Sequence, residues 1–213
     1  MKQKLFVMLG DVVSSSLISN RSAFQRRLIS ACSSINSRFG RGFFAEFRII
    51  KGTDEVGGVL TDIADIYDII FSFLDETDPE FIRFALVYDE IDTGLEQRDV
   101  SRMDGPAFHR ATALIDSLKT TGLLFAMETD NPPADLALSG QIAMLLQARH
   151  GWKKRYAGVV KEYRLRRNQQ EVAERVGMTQ QGVSRILHAV SWKQTESLEN
   201  RLREQLSAFS KGS

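Results

Sequence analysis

Three acidic residues stand where a metal site could be built. Asp11 follows the apolar stretch KLFVML, and Asp54 and Glu55 lie in the glycine-rich stretch KGTDEVGGVL, residues 51–60. Ligands that are all oxygen favour Mg²⁺ or Mn²⁺, and two close carboxylates repel each other unless a cation lies between them. These residues therefore predict a metal site. The alternative is that the aspartates are exposed turn or capping residues.

Residues able to contact phosphate accompany these acids. Hydroxyl groups, backbone amides, basic side chains and a flexible turn are the features that bind phosphate groups in proteins. The candidate nucleotide-binding residues are Ser14, Ser15, Lys51, Gly52, His109 and Arg110. For His109 and Arg110 the alternatives are a local hydrogen bond and an ion pair. With a metal bridging a triphosphate, the set predicts a site of the nucleotidyl-transfer type.

A second candidate site lies in QQEVAERVGMTQQGVSRILHAV, residues 169–190, whose pattern is typical of a helix–turn–helix. Gly177 permits the left-handed backbone of a tight turn, and Thr179 can cap the second helix. The outer face of that helix carries residue types that contact base edges or phosphates in the major groove. These are Thr179, Gln180, Gln181, Ser184, Arg185 and His188. An ordinary helical hairpin and a unit that contacts protein are the alternatives.

The charge of the chain is distributed unevenly. Residues 149–190 carry ten Lys or Arg and three Glu, a formal charge of +7, whereas the remainder stands at −6 and the whole chain at +1. A basic block is expected of a surface that docks on a phosphate backbone, although it is also found on solvated helix faces. Residues 152–167, WKKRYAGVVKEYRLRR, predict a supporting helix whose basic side chains contact the DNA backbone.

The elements that must position the acids follow from hydrophobic patterning. Short apolar runs predict strands at 4–9, 43–50, 56–60, 82–88 and 123–127, and helical spacing predicts helices over 24–39, 63–74 and 106–121. This order predicts an α+β fold, specifically a ferredoxin-like α/β sandwich. In such a sheet the first strand and the hairpin are neighbours, so Asp11 and Asp54 are expected at one edge.

A breaker cluster at 130–133, DNPP, predicts a boundary between two domains. Residues 1–133 are predicted to form the palm-like α/β domain. Residues 134–213 are predicted to form an all-α domain with the helix–turn–helix at about 153–190 and a C-terminal helix. The apolar residues of 192–209 predict either packing of that helix on its own domain or a homodimer contact.

Composition restricts the class of protein. No apolar run approaches the roughly 20 residues that span a bilayer, and no signal peptide is recognisable at the start, so no membrane partner is expected. The single cysteine, Cys32, allows no internal disulfide, which predicts a cytoplasmic location and a buried structural thiol. One cysteine and three scattered histidines make a zinc site improbable.

Three motifs together resemble one bacterial family. They are GDVVSSS at 10–16, TDEVGG at 53–58 and DGPAFHRA at 104–111, and together with the C-terminal helix–turn–helix they are similar to the SatD family. The resemblance covers nearly the whole chain and implies that Asp11 and Asp54 match the two aspartates of the family and Glu55 its next acid. Thr53, Val56 and Gly57 depart from the family hairpin. The family's hairpin and helix also look like the palm domains of nucleotide and GGDEF-type diguanylate cyclases.

Two functions follow as hypotheses. The first is a DNA-binding, transcription-regulating protein whose palm-like domain senses a ligand or mediates assembly, with double-stranded DNA as its partner. The second is a metal-dependent nucleotide-binding or nucleotidyl-transfer enzyme, for which Lys51 and Arg110 are the nearest basic residues that could stabilise a leaving pyrophosphate. The complete helix–turn–helix pattern favours the first. A structural adaptor without a ligand is a third interpretation.

Overall fold

The computed structural model describes residues 2–52 and 54–212. Its strands are β1 (Gln3–Val12), β2 (Phe43–Lys51), β3 (Glu55–Leu60), β4 (Ile82–Ile91) and β5 (Phe125–Glu128). Its α-helices are α1 (Arg21–Phe39), α2 (Ile66–Thr77), α3 (Pro106–Thr121), α4 (Pro132–His150), α5 (Lys154–Arg166), α6 (Gln169–Val176), α7 (Gln180–Ala189) and α8 (Trp192–Gly212). Each strand and helix predicted for the first 133 residues is present.

The five strands form one mixed sheet in the order β2-β3-β1-β4-β5. β1 lies between β3 and β4 and is antiparallel to both, while β5 runs parallel to β4. A parallel neighbour requires a crossover, which α3 supplies. The register places Asp11 between Glu55 of β3 and Arg83 of β4. The strand order therefore decides which side chains surround Asp11.

Both faces of the sheet are covered, because successive side chains of a strand point to opposite faces. From β1, Phe6 and Met8 enter the first core, between the sheet and α1, α2, α4 and α8. Leu5, Val7 and Leu9 enter the second core, which α3 closes on the other face. Burial on both faces explains why β1 reads as a continuous apolar run instead of an alternating one.

Three glycines allow close packing of the central strands. A Cβ at Gly10 would lie 2.6 Å from the Phe84 ring, and one at Gly58 would lie 2.8 Å from the Phe47 ring. Gly57 faces Ile50 and Leu9 side chains in the same way, at 3.1 and 3.2 Å. A glycine inside a strand commonly marks such a close approach. The space beside these glycines is therefore filled by protein side chains, not left open to a ligand.

The first core crosses the predicted boundary at residue 133. Leu138 and Ile142 of α4 and Leu202 and Leu206 of α8 are buried in the same core as α1 and α2. The part of α8 beyond residue 200 thus packs on its own chain. The division into 1–133 and 134–213 stays a prediction.

A third core joins the remaining helices. Val159 and Val160 of α5, Val172 of α6 and Val183 of α7 are buried together, with Trp192 at the start of α8.

Burial raises the pKa of Cys32, which lies in the first core, to about 12, so its thiol stays protonated near neutral pH. None of the helices in the described part of the chain has the length and apolar character needed to cross a bilayer.

Candidate functional site

The predicted acids lie at one end of the sheet. Asp11 is 8% exposed at the end of β1, and its Cα partner in β3 is Glu55. The backbone oxygen of Asp54 accepts a hydrogen bond from the amide of Val12 at 3.0 Å, which holds the hairpin turn against β1. We call Asp11, Asp54 and Glu55 with their immediate neighbours the acidic edge.

The carboxylate of Asp11 is paired with two cations. Its Oδ2 lies 3.2 Å from Nε of Arg83, and its Oδ1 lies 3.3 Å from Nζ of Lys119. The Arg83 contact lacks hydrogen-bond geometry, so it is an ion pair only. Partial burial lowers the pKa of Lys119, but Asp11 and Asp116 outweigh burial and raise this pKa above its usual value. Lys119 therefore stays charged near neutral pH.

Sequence reasoning did not identify Arg83 and Lys119 as partners of Asp11. Arg83 lies near the start of β4, and Lys119 lies in the last turn of α3. The signal that identifies Arg83 is the strand order, because an antiparallel β4 beside β1 places residue 83 opposite residue 11. The sequence predicted only that β1 neighbours the hairpin, whereas the pairing of β4 with β1 and its register are features of the structure.

Ser15 and the hairpin turn also meet at this edge. The Ser15 hydroxyl donates a hydrogen bond of 2.7 Å to Oδ2 of Asp54. Ser14, which precedes it, is exposed with a φ of 55°, in the left-handed region. Lys51 and Gly52 are exposed at the turn, with φ of 57° at Gly52. Thr53, the position that departs from the family turn, lies outside the described residues.

His109 and Arg110 are placed far from this edge. His109 Nε2 lies 3.1 Å from Oδ1 of Asp104, and Arg110 bonds Asp89 at 2.7 Å and Glu128 at 3.0 Å. Asp89 is six residues along β4 from Arg83, which corresponds to roughly 20 Å. The structure therefore does not bring these two side chains together with Ser15 and Asp54, and the local-contact alternatives describe their positions.

The fit of the acidic edge to a cation can be judged from the side chains around it. Both oxygens of Asp11 face protein cations, and one oxygen of Asp54 faces a hydroxyl donor. Within residues 2–52 and 54–212, no group of three or more His, Cys, Asp or Glu side chains is arranged to hold a metal ion. As arranged, these residues do not fit Mg²⁺ or Mn²⁺, and metal binding at Asp11, Asp54 and Glu55 stays a prediction.

The second candidate site is the pair α6 and α7. Asn168 caps α6 by accepting hydrogen bonds from the amides of Gln170 and Glu171. The helix ends at Gly177, whose φ of 65° is left-handed, and Thr179 caps α7 by accepting from the amide of Gly182 at 3.1 Å. These caps satisfy amide groups that a helix start leaves unpaired. The turn between the helices is three residues long.

The inner and outer faces of α7 are sharply separated. Val183, Ile186 and Leu187 are buried in the third core. The predicted DNA-contacting residues all lie on the exposed side; they are Thr179, Gln180, Gln181, Ser184, Arg185 and His188. We call these six residues the outer face of α7. Arg185 has no ion pair within the described part of the chain, so its guanidinium is available to a partner.

Four of the ten basic residues of the basic block are available to an external partner in the described structure. Five of its ten basic residues pair with carboxylates of the chain; these are Arg149, Arg164, Arg166, Arg167 and Arg175. Lys161 donates to the backbone oxygen of Asp75. Among the described residues, Lys153, Lys154, Arg155 and Arg185 have no such partner. A count of charges therefore overstates the positive surface.

The paired arginines attach the helical unit, meaning α5, α6, α7 and the start of α8, to the sheet-bearing part of the chain, meaning β1 to β5 with α1 to α4. Arg164 of α5 bonds Glu199 of α8, which is 2% exposed and also accepts a 2.8 Å hydrogen bond from the Tyr67 hydroxyl of α2. The guanidinium carbons of Arg149 and Arg164 lie 4.0 and 3.8 Å from the centre of the Phe71 ring. Such cation–π contacts strengthen when they are desolvated. Sequence reasoning missed this polar junction.

Comparison with known proteins identifies the family. The family model of the SatD family matches residues 5–204, which is most of the chain. The chain therefore belongs to the SatD family, as the three sequence motifs predicted. No curated protein matches it.

Proposed function

We propose that this SatD-family protein binds double-stranded DNA through the outer face of α7 and regulates transcription. The observation that carries the proposal is the division of α7 into a buried apolar face and an exposed face of amide, hydroxyl, guanidinium and imidazole groups. These groups hydrogen-bond to base edges and phosphates. The geometry of α6, a three-residue turn and α7 supports a helix–turn–helix whose second helix enters the major groove.

Backbone contacts would come from the start of α5. Lys153, Lys154 and Arg155 are consecutive, exposed and without a carboxylate partner in the described structure. Such side chains neutralise phosphates and release counterions, which makes affinity depend on salt. The basic residues that pair with Glu162, Glu196 and Glu199 have a different part in the proposal, since they hold the helical unit together.

For the sheet-bearing part of the chain we propose a ferredoxin-like, palm-type arrangement that senses a ligand or mediates assembly. The order of elements β1-α1-β2-β3-α2-β4 and the fully antiparallel order β2-β3-β1-β4 support this arrangement. A cytoplasmic location is part of the same proposal, because DNA is the partner and the only cysteine is a buried thiol.

We expect the full-length chain to bind a fluorescent 30-base-pair duplex of mixed sequence. Because the proposed contacts include several phosphates, affinity measured by fluorescence anisotropy should fall by roughly 10³-fold or more between 50 and 200 mM salt. A single-stranded oligonucleotide of the same length is the control. Absence of binding at 50 mM salt, or an affinity that does not change between 50 and 200 mM salt, would refute the proposed function.

A second candidate function is nucleotide binding at the acidic edge. The observation in its favour is the presence of Arg83 and Lys119, two cations that flank Asp11 close to the Ser15–Asp54 hydrogen bond. Cations beside hydroxyl groups suit a phosphate chain. Because the acids as arranged do not fit a metal ion, the two cations that Asp11 holds in place would contact the phosphates directly.

We expect a nucleoside triphosphate with Mn²⁺ to raise the melting temperature if this second function holds. The rise should disappear in Asp11→Asn, since ligand binding stabilises the folded state only where the site survives. Asp116→Asn is the matched control, because Asp116 also contacts Lys119, at 3.3 Å, but is exposed. A rise that persists in Asp11→Asn would exclude the acidic edge as the nucleotide site.

A further inference from the structure

Helix α4 has almost no charge on its surface. Within its 19 residues the only Asp, Glu, Lys or Arg side chains are Asp135 and Arg149, and both are buried. Asp135 accepts hydrogen bonds from the amide and hydroxyl of Thr129, and Arg149 bonds Asp75. The outward face of α4 is therefore left without a charged group of either sign, apart from His150 at its last position.

Two large apolar side chains project from that outward face. Leu136 is 79% exposed and Met144 is 75% exposed, and Gly140 lies midway between them. The remaining outward positions are Pro133, Ala137, Gln147 and Ala148, which are also exposed. We call this surface the α4 face. A contiguous apolar surface of this kind on a protein surface marks an interaction site.

We infer that a second copy of this chain docks on the α4 face, with the two α4 helices antiparallel about a two-fold axis at Gly140. The spacing is symmetric about that residue, so Leu136 of one copy meets Met144 of the other, and Pro133 meets Gln147. A two-fold interface requires such a self-complementary surface. Gly140, beside which a Cβ would meet nothing within 4 Å, leaves room for the two backbones to approach.

The position of a groove supports this register. A cavity of about 560 Å³ lies beside Leu136, lined by Ala126, Met127, Thr129, Pro132 and Ser139. Its charged lining residues are Asp135, which accepts from Thr129, and Arg110 and Glu128, which pair with each other at 3.0 Å. In the antiparallel arrangement the incoming Met144 arrives at this end of α4. Methionine is unbranched and fills irregular apolar spaces well. The exposed side chain and the groove thus complement each other across the proposed axis.

Charge argues for a second copy as the occupant. A face with no charge of either sign cannot be matched by the charged rim of an unrelated acidic or basic partner, whereas it matches itself.

The contact area between the two copies limits the affinity of the dimer. A 19-residue helix is about 28 Å long, and a pair of such helices buries less than the roughly 1,200 Å² of a standard interface. The dimer is therefore weak and reversible.

This inference rests on the proposed function and deepens it, because proteins that read DNA with paired helices bind two half-sites of one operator. A weak dimer suits that role, since the binding of one copy to DNA raises the effective concentration of the second copy at the neighbouring half-site. Helix α4 packs in the first core and α7 in the third, so the α4 face and the outer face of α7 are separate surfaces made of different residues.

Sedimentation of the full-length chain without DNA, from 5 to 500 µM, tests the inference. We expect a concentration-dependent dimer whose Kd rises roughly ten-fold or more in Met144→Glu, and likewise in Leu136→Lys, because each buries an unpaired charge. The double variant Leu136→Lys with Met144→Glu should recover dimerisation, since the two new charges then face each other between copies. In the same helix they are eight residues apart and cannot pair.

The control is Leu165→Glu, which adds the same charge at a 71% exposed leucine of α5. We expect no change in its Kd for dimerisation. A monomer at every concentration, equal effects of Met144→Glu and Leu165→Glu, or no recovery in the double variant would overturn the inference. The assay contains no DNA, so these results leave the proposed function standing, whereas a dimer that fails to bind DNA refutes only that function.

Discussion

Arg185→Ala is expected to weaken binding to a duplex selected from a random-sequence library by roughly ten-fold or more. Arg185 lies on the exposed side of α7, and no carboxylate pairs with it within the described residues. Its side chain can therefore donate to a guanine edge or a phosphate without first breaking an internal ion pair. A contact of this kind is worth about 1–3 kcal/mol when it reads a base.

The matched control for Arg185 is Lys211→Ala, which removes one positive charge from an exposed residue near the end of α8. We expect this change to alter affinity only slightly, through the long-range field. Both variants should be measured by anisotropy at two salt concentrations, and circular dichroism should confirm their fold. Equal losses for the two variants would show that the outer face of α7 does not contact DNA.

Glu199→Ala is expected to lower the free energy of unfolding by about 3–5 kcal/mol. Glu199 is 2% exposed and serves both the Tyr67 hydroxyl and the Arg164 guanidinium. Its removal leaves Arg164, whose side chain is only 16% exposed, without its counterion and the buried Tyr67 hydroxyl without an acceptor. Burial raises the pKa of Tyr67, and Glu199 raises it further, so the hydroxyl stays a hydrogen-bond donor over the neutral range.

Glu196→Ala is the matched control for Glu199, because Glu196 lies one turn earlier on α8 and pairs with an exposed Arg167. An exposed pair is worth less than about 1 kcal/mol. Urea unfolding followed by the fluorescence of Trp152 and Trp192 reports on the third core, where both residues pack. Similar losses for the two variants would contradict the view that Glu199 anchors the helical unit.

The polar junction around Glu199 illustrates what patterning could not supply. In the sequence, Glu199 is an acid in a helix whose apolar positions 202 and 206 point inward, and nothing local distinguishes it from the neighbouring Glu196. Its burial results from contact with Tyr67, which is 132 residues away. Long-range contacts of this kind depend on how helices dock on the sheet, which local spacing does not encode.

The acidic edge shows the same division between local and tertiary information. Helix α3 begins at Pro106 and ends before Gly122, as the position of proline and glycine predicted. The hairpin and its turn also follow from local residue types. The partners of Asp11, however, come from β4 and the far end of α3, so the positive surroundings of this carboxylate depend on strand register.

The sequence by itself determined the positions of the strands and helices of the first 133 residues, the membership of the SatD family and the two faces of α7, because each depends on residues close together in the chain or on a motif that is local. Only the tertiary structure decided that His109 and Arg110 lie at the opposite end of β4 from Asp11, that half of the basic block is internally paired and that α4 leaves an apolar face outward. The physical reason is that these features arise where segments distant in sequence share a core, and the sheet order and helix packing set those neighbours.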